Sequence, residues 1–170
     1  MNDGLIDALR HNAWAMRSLL SVCKGLTQSQ WQATATGTYG SIAATMWHTI
    51  SAEASYCARL MGEEPGWDRR AKEPPGVADM ESSIVDLAER WDRFLAHPFD
   101  AERTIVVKWR DGIDRDVPAG VFLAQALHHG NEHRAHICTI LTSIGVPTPE
   151  LGVWNYAEAT NRATPKREAH

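Results

Sequence analysis

The chain has 170 residues, 44% hydrophobic and 22% charged, which is enough apolar material for one self-folding domain and too much for a disordered one. A formal net charge of -4 gives no electrostatic footprint for a polyanionic backbone, so nucleic acid is not an expected partner. No apolar run approaches the roughly 20 residues of a membrane span, and the opening Met1-Asn-Asp-Gly-Leu-Ile-Asp7 lacks the basic and apolar regions of a signal peptide, which predicts a cytoplasmic protein with no membrane partner.

Leu5, Leu9, Ala13, Met16, Leu20 and Cys23 recur at steps of three and four, predicting a first helix from Leu5 to about Lys24 with Gly25 at its stop. Thr27-Gln-Ser-Gln30 reads as a capping box opening a short turn that carries Trp31, and Ala33 to Tyr39 reads as a connection. Ser41 can cap a second helix, whose stripe of Ile42, Met46, Ile50, Ala54, Cys57 and Met61 runs to Gly62. Glu63 to Asp79, with three Pro and two Gly, predicts a long surface loop. A third helix follows from about Met80 to Ala96, with Ile84, Leu87, Trp91, Phe94 and Leu95 inward and Pro98 just behind it.

The pattern then changes. Thr104-Ile-Val-Val-Lys-Trp109 is β-branched, and Asp111-Gly112 followed by Ile113-Asp-Arg-Asp-Val117 completes a hairpin signal. A fourth helix is expected from Gly120 to about Ile144, stopped by Gly145-Val-Pro-Thr-Pro149, with a short helix over Leu151 to Ala159. The expected fold class is all-α, an antiparallel four-helix bundle with a small β-hairpin between helices three and four. It would occupy residues 1–160, leaving 161–170 as a frayed C-terminal tail.

Three cysteines, Cys23, Cys57 and Cys138, form an odd set without short spacings, which suits a reducing compartment and small buried hydrophobes. Cys57 lies nine residues from His48 and Cys138 nine from His129, about 180° around a helix, so neither pairs with its histidine as a nucleophile. The tryptophans read as core residues, with Trp47 able to line a mouth beside His48.

Four of the eight histidines crowd into Leu127-His-His-Gly-Asn-Glu-His-Arg-Ala-His-Ile137. On a helix His129 and His133 stand one turn apart and can share an ion; His136 lies near that face, and His128 is turned about 100° away. Two imidazoles rarely suffice, so another helix must contribute, and His48, on the apolar side of helix two, is the candidate. The spacing leaves two readings open, a three-histidine metal site with an open position, or core histidines satisfied by hydrogen bonds. His129-Gly-Asn-Glu132-His133 also spells the H-x-x-E-H pattern of a protease family, against a plainer reading of Glu132 as a solvent-facing residue.

These residues resemble the DinB/YfiT-like family of metal-dependent enzymes over nearly the whole chain. His11-Asn-Ala-Trp-Ala-Met-Arg-Ser-Leu-Leu20 is similar to its opening helix, Met46-Trp-His48-Thr-Ile50 to its first ligand segment, and His129-x3-His133-Arg134 to its H-x3-H-R-G-Q signature. Gly145-Val-Pro-Thr-Pro149 and Trp154-Asn-Tyr156-Ala-Glu158 resemble its C-terminal end. The resemblance implies a four-helix bundle, His48, His129 and His133 as ligands of a divalent Zn, Ni, Mn or Fe ion, and a homodimer. Ala135 and His136 replace the Gly and Gln of the signature, leaving His136 as a fourth ligand, a donor to a ligand, or a catalytic base acting on bound water. The wider superfamily includes thiol S-transferases and a mycothiol-dependent maleylpyruvate isomerase. That implies a metal-dependent transferase in which a low-molecular-weight thiol cofactor attacks a small-molecule electrophile. A metal-hydroxide hydrolase and a non-enzymatic, stress-related metal-binding protein are the alternatives.

Overall fold

A computed structural model describes residues 3–109 and 111–164. Along them run α1 (Asp3–Cys23), α2 (Gln28–Trp31), α3 (Ile42–Met61), α4 (Val77–Leu95), β1 (Thr104–Lys108), β2 (Asp114–Pro118), α5 (Ala119–Ser143) and α6 (Val153–Ala159). The protein is therefore mostly helical with one two-stranded antiparallel sheet, in which Thr104 pairs with Pro118 and Lys108 with Asp114. The last six residues of the expected tail, 165–170, lie outside the described residues. Its first part is held: Arg162 donates to Asp7 at 2.6 Å and its backbone N–H to Ala157 O at 2.8 Å.

Local chemistry sets the helix ends. Thr27 closes the capping box with Gln30, and Ser41 Oγ accepts from the Ala44 N–H, so each supplies a partner for an orphan donor of the first turn. Gly62, at φ +76°, ends α3 in the left-handed conformation that a side chain resists. Gly25 does not do this for α1, which closes with tight turns from Gly25 N–H to Val22 O and Leu26 N–H to Cys23 O. α4 begins at Val77, three residues before the expected Met80. Its first turn, Val77-Ala78-Asp79, faces outward enough to show no apolar period, although Asp79 suits the positive end of a helix.

The four long helices share one core. α1 and α3 each pack on both α4 and α5, so the stripe of each is covered from two sides. Leu9 and Met16 of α1, Met46 and Ile50 of α3, Trp91 of α4, and Ile137 and Leu141 of α5 are buried there. Burying each such side chain stabilises the fold by roughly 1.5–3 kcal/mol before chain entropy is counted. β2 leans on α5, and Ile105, Val107 and Val117 of the hairpin pack against the core's edge. α3 against α5 is the pairing that positions the candidate site, because those two helices carry His48, His129 and His133.

Candidate metal centre

His48 sits in the second turn of α3, and His129 and His133 sit one turn apart near the middle of α5. The packing of α3 on α5 brings the three rings together. His129 Nε2 lies 3.1 Å from His48 Nε2 and 3.1 Å from His133 Nε2, and a ligand atom from each ring falls within 4.8 Å of the others. Two nitrogens bound to one ion at about 2.0–2.1 Å stand about 2.9–3.4 Å apart in neighbouring positions, so the spacing fits a shared cation.

The donor chemistry points the same way. Burial pushes the His129 imidazole down to about 4, helped by its His133 and His48 neighbours, and burial lowers His48 and His133 as well. All three rings are therefore neutral near pH 7, with lone pairs available. A ring nitrogen has one N–H or one lone pair in the ring plane, so His129 Nε2 cannot satisfy both neighbours at once. A cation among the three nitrogens would satisfy all of them and place the protons on Nδ1. These residues fit a divalent transition metal.

The DinB family model matches residues 1–168. The chain belongs to the DinB family. No curated protein matches it significantly. In this DinB-family chain the fold brings His48, His129 and His133 together.

The other candidates fall elsewhere. His136 packs its ring near edge-on against His133, with centroids 5.3 Å apart, and its buried Nδ1, like that of His133, has no hydrogen-bond partner. His128 is exposed, 4.0 Å from Glu132 on α5, and Glu132 is a solvent-facing residue. Cys57 hydrogen-bonds the Met61 sulfur, and burial pushes its thiol, and that of Cys23, up to about 12. Burial raises the Cys138 thiol too, and none of the three cysteines joins the cluster.

Two tyrosines bracket the site, and no periodicity announces them. Tyr39 stacks on His48 at 4.1 Å and 14° and stands edge-on to His133 at 5.1 Å; it comes from the irregular stretch before α3, where Thr38 Oγ1 donates to Ala35 O. Tyr56, two turns beyond His48, meets the His129 ring edge-on at 5.9 Å. Trp47 is buried with its indole N–H donated to Ala71 O at 2.9 Å, and it lines a cavity together with His48.

One layer deeper lies a polar cluster drawn from all four long helices. Trp91 Nε1 donates to Glu53 Oε1 at 2.7 Å, and Arg134 donates to Asn12 Oδ1 at 2.6 Å, all four residues being buried. Burial raises the Glu53 carboxyl, against the pull of the Trp91 indole, the Arg134 charge and the Asn12 amide. Gly130 makes room for this cluster: a Cβ there would sit 2.6 Å from Asn12 Oδ1 and 3.0 Å from an Arg134 nitrogen.

Proposed function

We propose that this DinB-family protein is a metal-dependent enzyme of thiol chemistry, transferring a small thiol to an electrophilic carbon, with His48, His129 and His133 holding one Zn, Ni, Mn or Fe ion. The observation that carries the reading is the convergence of three Nε2 atoms with no protein thiol or carboxylate completing the set among the described residues. Structural sites close with four protein ligands, whereas three ligands with an open position are the arrangement of catalytic ones.

A divalent ion held there supplies Lewis acidity that lowers the pKa of a small thiol. The chain's own part is to bind, orient and exclude water. Tyr39 and Tyr56 cover the imidazole faces, and beyond Tyr56 an apolar cavity of about 430 Å³, lined by Val107, Trp109, Val117 and Phe122, suits the hydrophobic part of an electrophile. His136 acts as a positioning residue by holding the His133 ring. The nucleophilic sulfur comes from a cofactor thiol, because burial keeps the Cys23 and Cys57 thiols protonated near pH 7 and raises that of Cys138. Its lone pair forms the new C–S bond as the bond from that carbon to the leaving group breaks and the leaving group departs with the electron pair, while the thiol proton leaves to solvent.

We also propose an antiparallel four-helix bundle, supported by each long helix packing on two others. A cytoplasmic site of action is supported by the odd set of free cysteines. A homodimer is supported by the family resemblance and by the exposed Val106, Trp109, Ile113 and Val121 on and beside the hairpin. Sedimentation equilibrium showing only monomer at tens of micromolar would end the dimer proposal. Of the described residues, no helix is long and apolar enough to cross a membrane.

The test of function is a panel of glutathione, mycothiol, bacillithiol and coenzyme A against a chromogenic electrophile with metal-loaded protein. Turnover with one thiol that disappears in His48→Ala is the expected result. Hydrolysis of esters or amides without any thiol would replace the reading with a hydrolase, and inactivity alongside tight metal binding would replace it with a non-enzymatic metal-binding role.

A further inference from the structure

We propose that the cleft beside His48 is an anion subsite that seats a carboxylate or phosphate group of the small molecule bound at the histidine centre. This rests on the reading of that centre as a small-molecule site. The cleft, of about 260 Å³, is lined by Tyr39, Trp47, His48, Arg69, Arg70 and Lys72, with no acidic side chain on its wall. It shares His48 and Tyr39 with the histidine cluster, so a ligand can reach the imidazoles from one end and the cations from the other.

The charge balance is local and specific. Glu64, outside the lining, takes the Arg69 guanidinium in a two-pronged pair at 2.7 and 2.8 Å and lies 3.2 Å from Arg70. Arg69 and Arg70 thus share one carboxylate, and Asp68, which accepts from the Arg70 backbone N–H, also acts on Arg69. Lys72 makes no ion pair among the described residues, and the Arg70 side chain is 72% exposed with its one ion pair to the exposed Glu64. The positive charge is confined to the wall of the cleft, since Glu63, Glu64, Asp68 and Glu73 of the same segment lie outside its lining. Forked guanidinium and ammonium groups are the side chains that recognise carboxylate and phosphate oxygens.

The segment that carries these cations, residues 62–76, has no helix or strand of its own, yet it is fastened. Trp47, the neighbour of His48, holds Ala71 O; Trp67 donates its indole N–H to Asp86 at 2.9 Å and packs its ring 5.6 Å from that of Trp47; Arg90 holds Glu64 O at 3.2 Å. Three side-chain anchors fix a loop on which Arg70 and Lys72 are exposed while the Arg69 side chain is 11% exposed. A long structureless loop held in this way is typical of binding loops. Its anchor to the residue next to His48 sets the distance between the cations and the imidazoles.

The test uses the metal-free chain, so its failure is separable from failure of the metal reading. Inorganic phosphate, propionate and, as an uncharged control, 1-propanol are titrated at constant ionic strength, following the Trp47 indole N–H resonance, assigned by its loss in Trp47→Phe. The expected result is a saturable shift with phosphate or propionate, whichever binds more tightly naming the group, and none with 1-propanol. The double variant Arg70→Ala/Lys72→Ala, on an exposed loop, should keep its helical circular dichroism and bind roughly tenfold more weakly. Arg17→Ala, on α1, should bind as wild type. An equal response to 1-propanol, no response to either anion, or undiminished anion binding in the double variant would overturn the proposal, whatever the metal titrations show.

Discussion

Two polar clusters lie within a turn or two of each other in this protein, and they are built to opposite ends. Asn12, Glu53, Trp91 and Arg134 meet deep among the four long helices, where an indole N–H points at a carboxylate and a guanidinium at an amide oxygen. His48, His129 and His133 meet nearer the surface on α3 and α5, where three like nitrogens point at one another. The first cluster supplies donors to its own acceptors, Trp91 to Glu53 and Arg134 to Asn12, and leaves only the Asn12 Nδ2 without a partner among its described side-chain contacts. The second brings three like ring nitrogens together, where they could hold a metal ion. The difference teaches that burial of polar groups alone does not mark a binding site; mutual satisfaction has to be checked atom by atom.

That contrast can be broken from either side, and the largest effect belongs to the deep cluster. Arg134→Ala strands Glu53 without its nearby charge and should cost about 3–5 kcal/mol in urea unfolding of the metal-free chain. His129→Gln, measured in the same way, should change stability by less than about 1 kcal/mol. Equal losses would erase the distinction between a structural and a ligand-holding cluster. Next in size, Gly130→Ala pushes a methyl group onto Asn12 and should cost roughly 1–3 kcal/mol, since two helices must move apart to admit it.

The pH dependence sharpens the same comparison. Glu53 has its folded pKa raised above the ordinary value of 4.5, chiefly by burial. Its protonated form is favoured by folding, so this contribution is fully present below pH 4.5 and lost as pH rises through the folded pKa. Unfolding series of wild type and Glu53→Gln should therefore diverge upward from about that pH, with wild type losing ground, and parallel curves would mean that the carboxylate is charged at no cost. The smallest effect is expected at the rim: Tyr39→Ala removes a ring stack from His48 worth about 0.5–1.5 kcal/mol and should weaken metal binding only several-fold.

The helices were legible wherever local chemistry decides them. Ser41 before an apolar stripe and Gly62 after it bound α3 to the residue, and His129 and His133 one turn apart already share a face. What the sequence could not carry is pairing across distance. Asn12 and Arg134 are 122 residues apart, and nothing local marks either as buried. Glu53 reads as an ordinary charged helix residue until Trp91, 38 residues away, is seen against it. Gly130, a residue of poor helix propensity between His129 and His133, implies a close approach without naming the partner. Tyr39 lies in irregular backbone where no period applies. The first turn of α4 was invisible because Val77-Ala78-Asp79 carries no apolar repeat.

The central claim, that the three imidazoles form one metal centre, is tested most directly by metal stoichiometry and affinity. Elemental analysis of the purified chain, followed by titration of the metal-stripped protein and of His48→Ala, His129→Ala and His133→Ala with Zn and Ni, measures it. The account predicts about one ion per wild-type chain and a loss of affinity of at least about a hundredfold in each variant, because two imidazoles cannot make the site of three. Tight binding that survives unchanged in all three variants would contradict it.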